Sequence, residues 1–281
     1  MIRVLVDSGS SIKQEEKEKL GVEILPLKIL MGETEYLDGV NLSLDEFYKK
    51  FIGEKLFPKT SLPSLETAQN VIKKFLEMGD EVIVLPISSK ISGTYNALRM
   101  LFQDNPHVRV IDTKSAVGGI RILVQEINRY RDKSIDFVEK KVNELIPRLK
   151  VIAIPETLEY LYRGGRLNKA AYLAGNLMNI KPLISLDSIS GEVKLVGKAR
   201  GIKKAMKEIV ERLRKIGHDS NYQIVPSYTY NKENIDALIE MTDDEFKPYM
   251  GDYDNLDMAL ACHWGPNAFG YIWVEEQKKE L

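Results

Sequence analysis

The chain has 281 residues, 44% of them hydrophobic and 29% charged, and its 40 basic and 41 acidic side chains leave a net charge of −1. That length predicts two domains with cores of their own, and the balanced charge excludes a long-range pull toward nucleic acid or an anionic membrane. Cys262, the single cysteine, excludes an intrachain disulfide framework and a multi-cysteine metal site.

Residues 2–6 read as a first strand that ends in the polar turn Asp7-Ser8-Gly9-Ser10-Ser11. The opening lacks the pattern of a signal peptide, and no apolar stretch approaches the ~18 residues of a membrane span, so a cytoplasmic setting without stable membrane insertion is expected. Residues 12–20 are charged and predicted helical. Residues 22–30 read as a second strand in which Pro26 marks an edge or a bulge. Residues 44–52 carry apolar side chains at helical spacing behind Ser43 as a cap. A stronger amphipathic helix spans 65–78, with Ser64 as N-cap and Thr67 at the capping-box position.

Residues 82–87 form a short apolar run rich in β-branched side chains, the pattern of a buried strand. A helix over 95–102, a short strand over 108–112, a small-residue turn over 113–119 and a helix over 137–149 follow. Strands alternating with helices predict a mainly parallel sheet with helices on both faces. A second pattern starts at Val151: a helix over 170–177, a strand over 180–186, its hairpin return over 191–197, a helix over 202–216, and strands over 222–228 and 271–274. The predicted fold is therefore two α/β domains, 1–150 and 151–281, the second with a mixed sheet. Nothing resembles a coiled-coil seam, so a monomer is expected.

Open α/β sheets place ligands at the carboxyl ends of their strands. There the chain offers Ser88-Ser89-Lys90-Ile91-Ser92-Gly93-Thr94, a lining of hydroxyls and backbone N–H groups with one strong charge. That set suits holding a carboxylate or phosphate better than acid–base chemistry. Thr60-Ser61-Leu62-Pro63-Ser64 is a second hydroxyl cluster. Alone it reads as an N-cap with a surface turn; beside Ser92 and Gly93 it reads as part of an anion site.

His263 follows the small-residue run Ala259-Leu260-Ala261-Cys262. It is either a half-buried histidine bonded to backbone or a donor to a carboxylate. Arg163-Gly164-Gly165-Arg166 and Lys198-Ala199-Arg200-Gly201 are basic turns, each readable as a solvated surface or as an anion contact. Asp7 ends the first strand, where it could bind a metal or bond nearby backbone. The chain has no dinucleotide or Walker A phosphate loop, no nucleophile elbow and no metal-ligand spacing.

These motifs together resemble the DegV family of bacterial fatty-acid-binding proteins. The likeness runs nearly end to end, through Asp7-Ser8, Leu37-Asp38-Gly39, Glu46-Phe47-Tyr48, Thr60–Ser64, Ile87–Tyr95, Thr157–Leu161, Gly164-Gly165-Arg166, Asn179-Ile180-Lys181-Pro182 and Lys198–Gly201. It implies a carrier without catalytic residues or cofactor. The carrier would bury a long-chain fatty acid such as palmitate, stearate or oleate, and present it to a separate kinase that makes an acyl phosphate.

The resemblance implies Thr60, Ser61, Ser92, Gly93 and His263 at the carboxyl head, and Arg166 and Arg200 toward the kinase. Leu27, Ile29, Leu173, Leu177, Met178 and Ile180 are available for the tail slot, or for plain core. The family reads His-x-Gly-Pro-Gly where this chain has Asn267 in the last place, a residue that tolerates positive φ. Two other function classes are left open: a small phosphotransferase or hydrolase working through the serine-rich turns and Asp7, and an interaction protein whose basic turns bind an acidic partner.

Overall fold

A computed structural model describes residues 1–175 and 179–277. The first half of the chain runs β1 (Ile2–Asp7), α1 (Lys17–Leu20), β2 (Val22–Leu25), β3 (Lys28–Met31), β4 (Thr34–Leu37), α2 (Leu44–Tyr48), β5 (Lys59–Ser61), α3 (Leu65–Glu77), β6 (Glu81–Leu85), α4 (Thr94–Phe102), β7 (Val108–Val110), α5 (Gly118–Arg129) and α6 (Ile135–Leu145). It continues with β8 (Leu149–Ile154), α7 (Glu159–Arg163), α8 (Lys169–Gly175), β9 (Ile180–Leu186), β10 (Val193–Arg200), α9 (Ile202–Ile216), β11 (Val225–Tyr228), α10 (Glu233–Met241), β12 (Asp254–Asn255), α11 (Met258–Trp264) and β13 (Phe269–Val274).

The first sheet has the order β2-β1-β6-β7 and is parallel throughout. Its strands obey the two-residue period of a pleated sheet. Leu5, Val82 and Val84 pack with Ala68 and Ile72 of α3 and Leu98 of α4. Their neighbours Val4, Val6, Ile83 and Leu85 join a different cluster, with Leu123, Val124 and Ile127 of α5 and Val138 and Val142 of α6. Helices therefore cover both faces, which is why these strands are apolar without alternation.

The second sheet has the order β10-β9-β8-β13-β11-β12 and is mixed, with only the β11–β12 pair parallel. One face buries Ile152, Leu183, Tyr271 and Trp273 under Met206, Ile209 and Leu213 of α9 and Leu238 of α10. The other face, through Val151, Ile184, Leu186, Ile272 and Val274, belongs to the same cluster as α5. The apolar core thus passes without a break from one sheet to the other, and α5 is the layer between them. A Cβ on Gly118 would lie 2.8 Å from Val225 Cγ1, so glycine lets the start of α5 press against β11. A third sheet, β4-β3-β5, is small and antiparallel.

Several expectations change. The single strand over 22–30 is two strands in two sheets, because Pro26 has no N–H for the ladder. The chain leaves the parallel sheet there: the Leu27 N–H donates to Ser8 Oγ (3.0 Å) and the Leu27 carbonyl accepts from Asp38 N–H (2.9 Å). Residues 12–20 form a 3₁₀ turn and then the short α1, and the helix behind Ser43 widens at its end into a π turn over 49–53. Both caps form, with Ser43 Oγ accepting from Glu46 N–H (3.2 Å) and Ser64 Oγ from Thr67 N–H (3.1 Å).

Helix α5 is absent from the sequence reading, since Val117-Gly118-Gly119 is a poor helix start and only burial between the sheets stabilises it. Helices α10 and α11 were not read either. The helix expected over 170–177 begins at Lys169, and Leu177 lies outside the described residues.

Ile72 is fully buried between α3 and the first sheet. Ile72→Ala removes that packing and leaves a cavity, with an expected loss of about 2–5 kcal/mol. Urea unfolding followed by circular dichroism reads this as a lower midpoint at unchanged slope. Ile72→Val should cost only about 1 kcal/mol.

Candidate functional site

After β6 the chain is held by its own polar groups. Ser88 N–H donates to the Ser115 carbonyl (2.8 Å), and Ser88 Oγ donates to the Gly191 carbonyl (2.7 Å) of the second half. Ser89 donates through N–H and Oγ to the two carboxylate oxygens of Asp112. Ser88 and Ser89 are thereby spent on structure. Ser92 Oγ instead accepts from Thr94 N–H (3.3 Å) and bonds Thr94 Oγ1 (2.9 Å), at the N-terminus of the nine-residue α4. Free N–H groups and the partial positive charge of the helix end gather beside Gly93.

The opposing wall comes from far along the chain. Thr60 sits on β5, in register with Ile29 of β3. Its Oγ1 is 2.7 Å from Nε2 of His263, near the end of α11. A Cβ on Gly164 would lie 2.3 Å from His263 Nδ1, so glycine there makes room for the ring. Nδ1 is buried and has no hydrogen-bond partner. Burial, and then the positive charge of Arg166, push the His263 pKa down to about 3, so the imidazole is neutral at ordinary pH. Arg166 Nε donates to the Ile91 carbonyl (2.9 Å), and the guanidinium also bonds the Gly164 carbonyl. Burial lowers the Arg166 pKa, yet an arginine stays charged.

Between these walls lies a cavity of about 250 Å³. Thr60, Ser61, Ser92, Gly93, Arg166 and His263 supply its polar lining. Leu27, Leu62, Ile87, Ile91, Ala116, Leu161, Leu186, Val193, Ala259, Leu260 and Trp264 supply the rest, and no carboxylate is among the described residues that line it. One positive charge, hydroxyls, a helix N-terminus and a neutral imidazole facing an apolar chamber can hold an anionic head attached to an apolar body. A base near neutral pH is not in this set.

The five residues expected at the carboxyl head therefore line one cavity. Of the two arginines expected toward the kinase, Arg166 lines that cavity as well, and Arg200 is exposed at the end of β10. Of the tail candidates among the described residues, only Leu27 lines the cavity. Ile29 is buried in the core beside it, Leu173 is exposed and Ile180 is half-buried, while Leu177 and Met178 lie outside the described residues. The sequence reading missed Leu186 and Val193, which flank a hairpin whose inner face no periodicity marks, and Trp264, which sits beside the histidine it did single out.

Asp7 is buried and accepts from Ile87 N–H (3.1 Å), and burial pushes its pKa up to about 7. It bonds backbone and does not line the cavity. No cluster of metal ligands occurs among the described residues. Asn267 adopts φ +61°, in the left-handed region that asparagine tolerates, and its side chain bonds Asn231 and Glu156.

The model of the DegV family, described as a family of uncharacterised proteins, matches residues 1–276. Among solved structures, a fatty-acid-binding DegV family protein from Thermus thermophilus superposes with a TM-score of 0.86 at 30% identity, covering 98% of this chain and 99% of that one. A stearic acid-binding protein from Eubacterium ventriosum gives 0.84 at 28% identity, with 98% of each chain covered. The Fatty Acid Kinase B3 protein of Streptococcus pneumoniae, solved with linoleic acid, shares the fold at a TM-score of 0.83 and 19% identity, with 98% and 100% covered.

The depressed His263 pKa has a definite sign in stability. The unfolded chain takes a proton on this histidine below about 6.5, and the folded chain only near 3, so stability is lost as pH falls through that window. Asp7 and Asp254, both raised to about 7, act oppositely and gain stability over much of the same range. His263→Gln removes only the first effect. The variant should gain about 2 kcal/mol on the parent between pH 7 and pH 5, read from urea midpoints. An NMR titration of the parent should show the His263 ring unprotonated down to pH 4; a midpoint near 6.5 would contradict the burial argument.

Proposed function

Because the chain belongs to the DegV family, we propose that it carries one long-chain fatty acid. The carboxyl head would lie at Thr60, Ser61, Ser92 and the Gly93 N–H, beside His263 and Arg166, with the tail in the apolar chamber. The observation that carries this reading is the Thr60–His263 bond, which joins the two halves of the polar lining of a cavity whose remaining wall is apolar. On this reading residues 1–150 bring the hydroxyl turns, and residues 151–281 bring His263, Arg166, Leu186 and Val193 to complete the pocket.

The energetics divide between tail and head. Each buried methylene contributes about 0.8 kcal/mol, so about 15 of them give on the order of 12 kcal/mol before ordering and association costs. A hydrogen bond to the head gives about 0.5–1.5 kcal/mol. The tail then sets affinity, and the hydroxyls set the place and orientation of the carboxyl. Burying a carboxylate demands partners, and Arg166, the α4 N-terminus and the hydroxyls are such partners.

We further propose that a separate kinase phosphorylates the bound acid. Arg200, exposed in the basic turn Lys198–Lys204, is the proposed contact for that partner, with Arg166 reaching the carboxyl from inside. The competing reading, an enzyme acting through its serines, is disfavoured by their bonding. Ser88 and Ser89 are engaged with Gly191 and Asp112, and the one histidine of the cavity is paired with a threonine and is a very weak base.

Mass spectrometry of organic extracts from the purified protein should recover close to one palmitate, stearate or oleate per chain. No recovered acid, and no uptake of added acid, would overturn the reading. Ser92→Ala should weaken palmitate binding roughly fivefold, about 1 kcal/mol, and lower acyl-phosphate yield in the presence of the kinase, with an unchanged circular dichroism spectrum. An unaltered yield would remove Ser92 from the head site.

A further inference from the structure

The cavity has a neighbour. A second void of about 20 Å³ lies on the inner face of the second sheet, and its lining includes Val117, Ser227, Leu256 and Ile272. Trp264 lines both spaces. So does the turn before α5, with Ala116 on the cavity side and Val117 on the void side. The two spaces are therefore adjacent, and they share a wall that contains the buried indole and the consecutive Ala116 and Val117.

Two observations set this partition apart from ordinary core. Val117 has φ +49° and ψ −139°, a backbone conformation that a β-branched residue adopts only at a cost. The strained turn is held by the Val117 N–H donating to the Gly9 carbonyl (2.8 Å). Beyond it, the Ser227 hydroxyl is buried with no hydrogen-bond partner. A void next to an unpartnered buried hydroxyl is an under-filled place in a core that is otherwise close-packed.

We propose that Trp264 is the residue that limits how long a tail this protein accepts, by closing the cavity off from the space beyond. This inference rests on the carrier reading and names a specificity determinant within it. With Trp264 in place the tail ends against the indole. With a small residue there, cavity and void join, and the tail gains apolar surface for each further methylene.

The experiment uses the full chain freed of lipid and titrated with palmitate, stearate, arachidate and behenate by calorimetry. The parent should bind the two shorter acids and lose affinity for the two longer ones. Trp264→Ala should shift the preference toward the longer acids, by about fourfold for each added methylene it newly buries. Trp264→Phe should give a smaller shift in the same direction. Adding Ser227→Val to Trp264→Ala refills the void and should take back part of the shift. Folded Trp264 variants with the parent's ratio of behenate to palmitate affinity would overturn the inference and leave the carrier reading intact. A parent that takes up none of the four acids would overturn both.

A readout on the parent site covers the case in which the variants do not fold. In a Trp273→Phe background Trp264 is the only tryptophan. Stearate brominated near its methyl end should quench that fluorescence more than stearate brominated near its carboxyl. Equal or reversed quenching would overturn the inference.

Discussion

The structure turns on one constraint: α5 must be buried on both sides at once. Its apolar residues meet the first sheet through Val4, Val6 and Ile83 and the second through Val151, Ile272 and Val274, in a single cluster. A helix so placed leaves little freedom to the two sheets it separates. It also sets the turn before it, residues 113–117, against the loop after β6 through the Ser88–Ser115 bond and against the turn after β1 through the Val117–Gly9 bond. The cavity is what remains where that layer gives way to α11 and β5.

The second determinant is where α11 begins. Asp257 precedes the helix and pairs with Lys13, whose Nζ also donates to the Asn255 carbonyl (2.7 Å). Nearby, Arg121 of α5 pairs with Glu16. Asp254 lies in the same region, buried and without a hydrogen-bond partner; burial pushes its pKa up to about 7 while Arg121 and Lys13 pull it back. Such a cluster contributes little net stability, because desolvation offsets attraction. What it contributes is place: it ties the N-terminal turns to the start of α11, and so sets where His263 meets Thr60.

The electrostatics of the site follow from its surroundings. An imidazole pressed against glycine and threonine in a mostly apolar chamber is kept uncharged. The positive charge is left to Arg166, which cannot give up its proton. On the carrier reading, a fixed cation and neutral donors are the partners that a buried anion needs. Ser88 and Ser89, which look like nucleophiles in sequence, are structural ties to Gly191 and Asp112.

By itself the sequence determined the parts whose signal is local. The parallel sheet was legible from apolar runs alternating with amphipathic helices, and α9 was legible to the residue, because two-residue and 3.6-residue periods report which face is buried. The caps at Ser43 and Ser64 were legible because a cap is a matter of three or four neighbouring residues. The motifs around Thr60, Ser92 and His263 were legible as likenesses of residue type. Tertiary structure alone decided that Thr60 and His263, 203 residues apart, would bond. It alone made Val117-Gly118-Gly119 the start of a helix, split residues 22–31 between two sheets, and turned Leu186, Val193 and Trp264 into cavity wall. The physical reason is common to all of these: each depends on which surfaces meet, and a contact between distant segments leaves no period in the segments that make it.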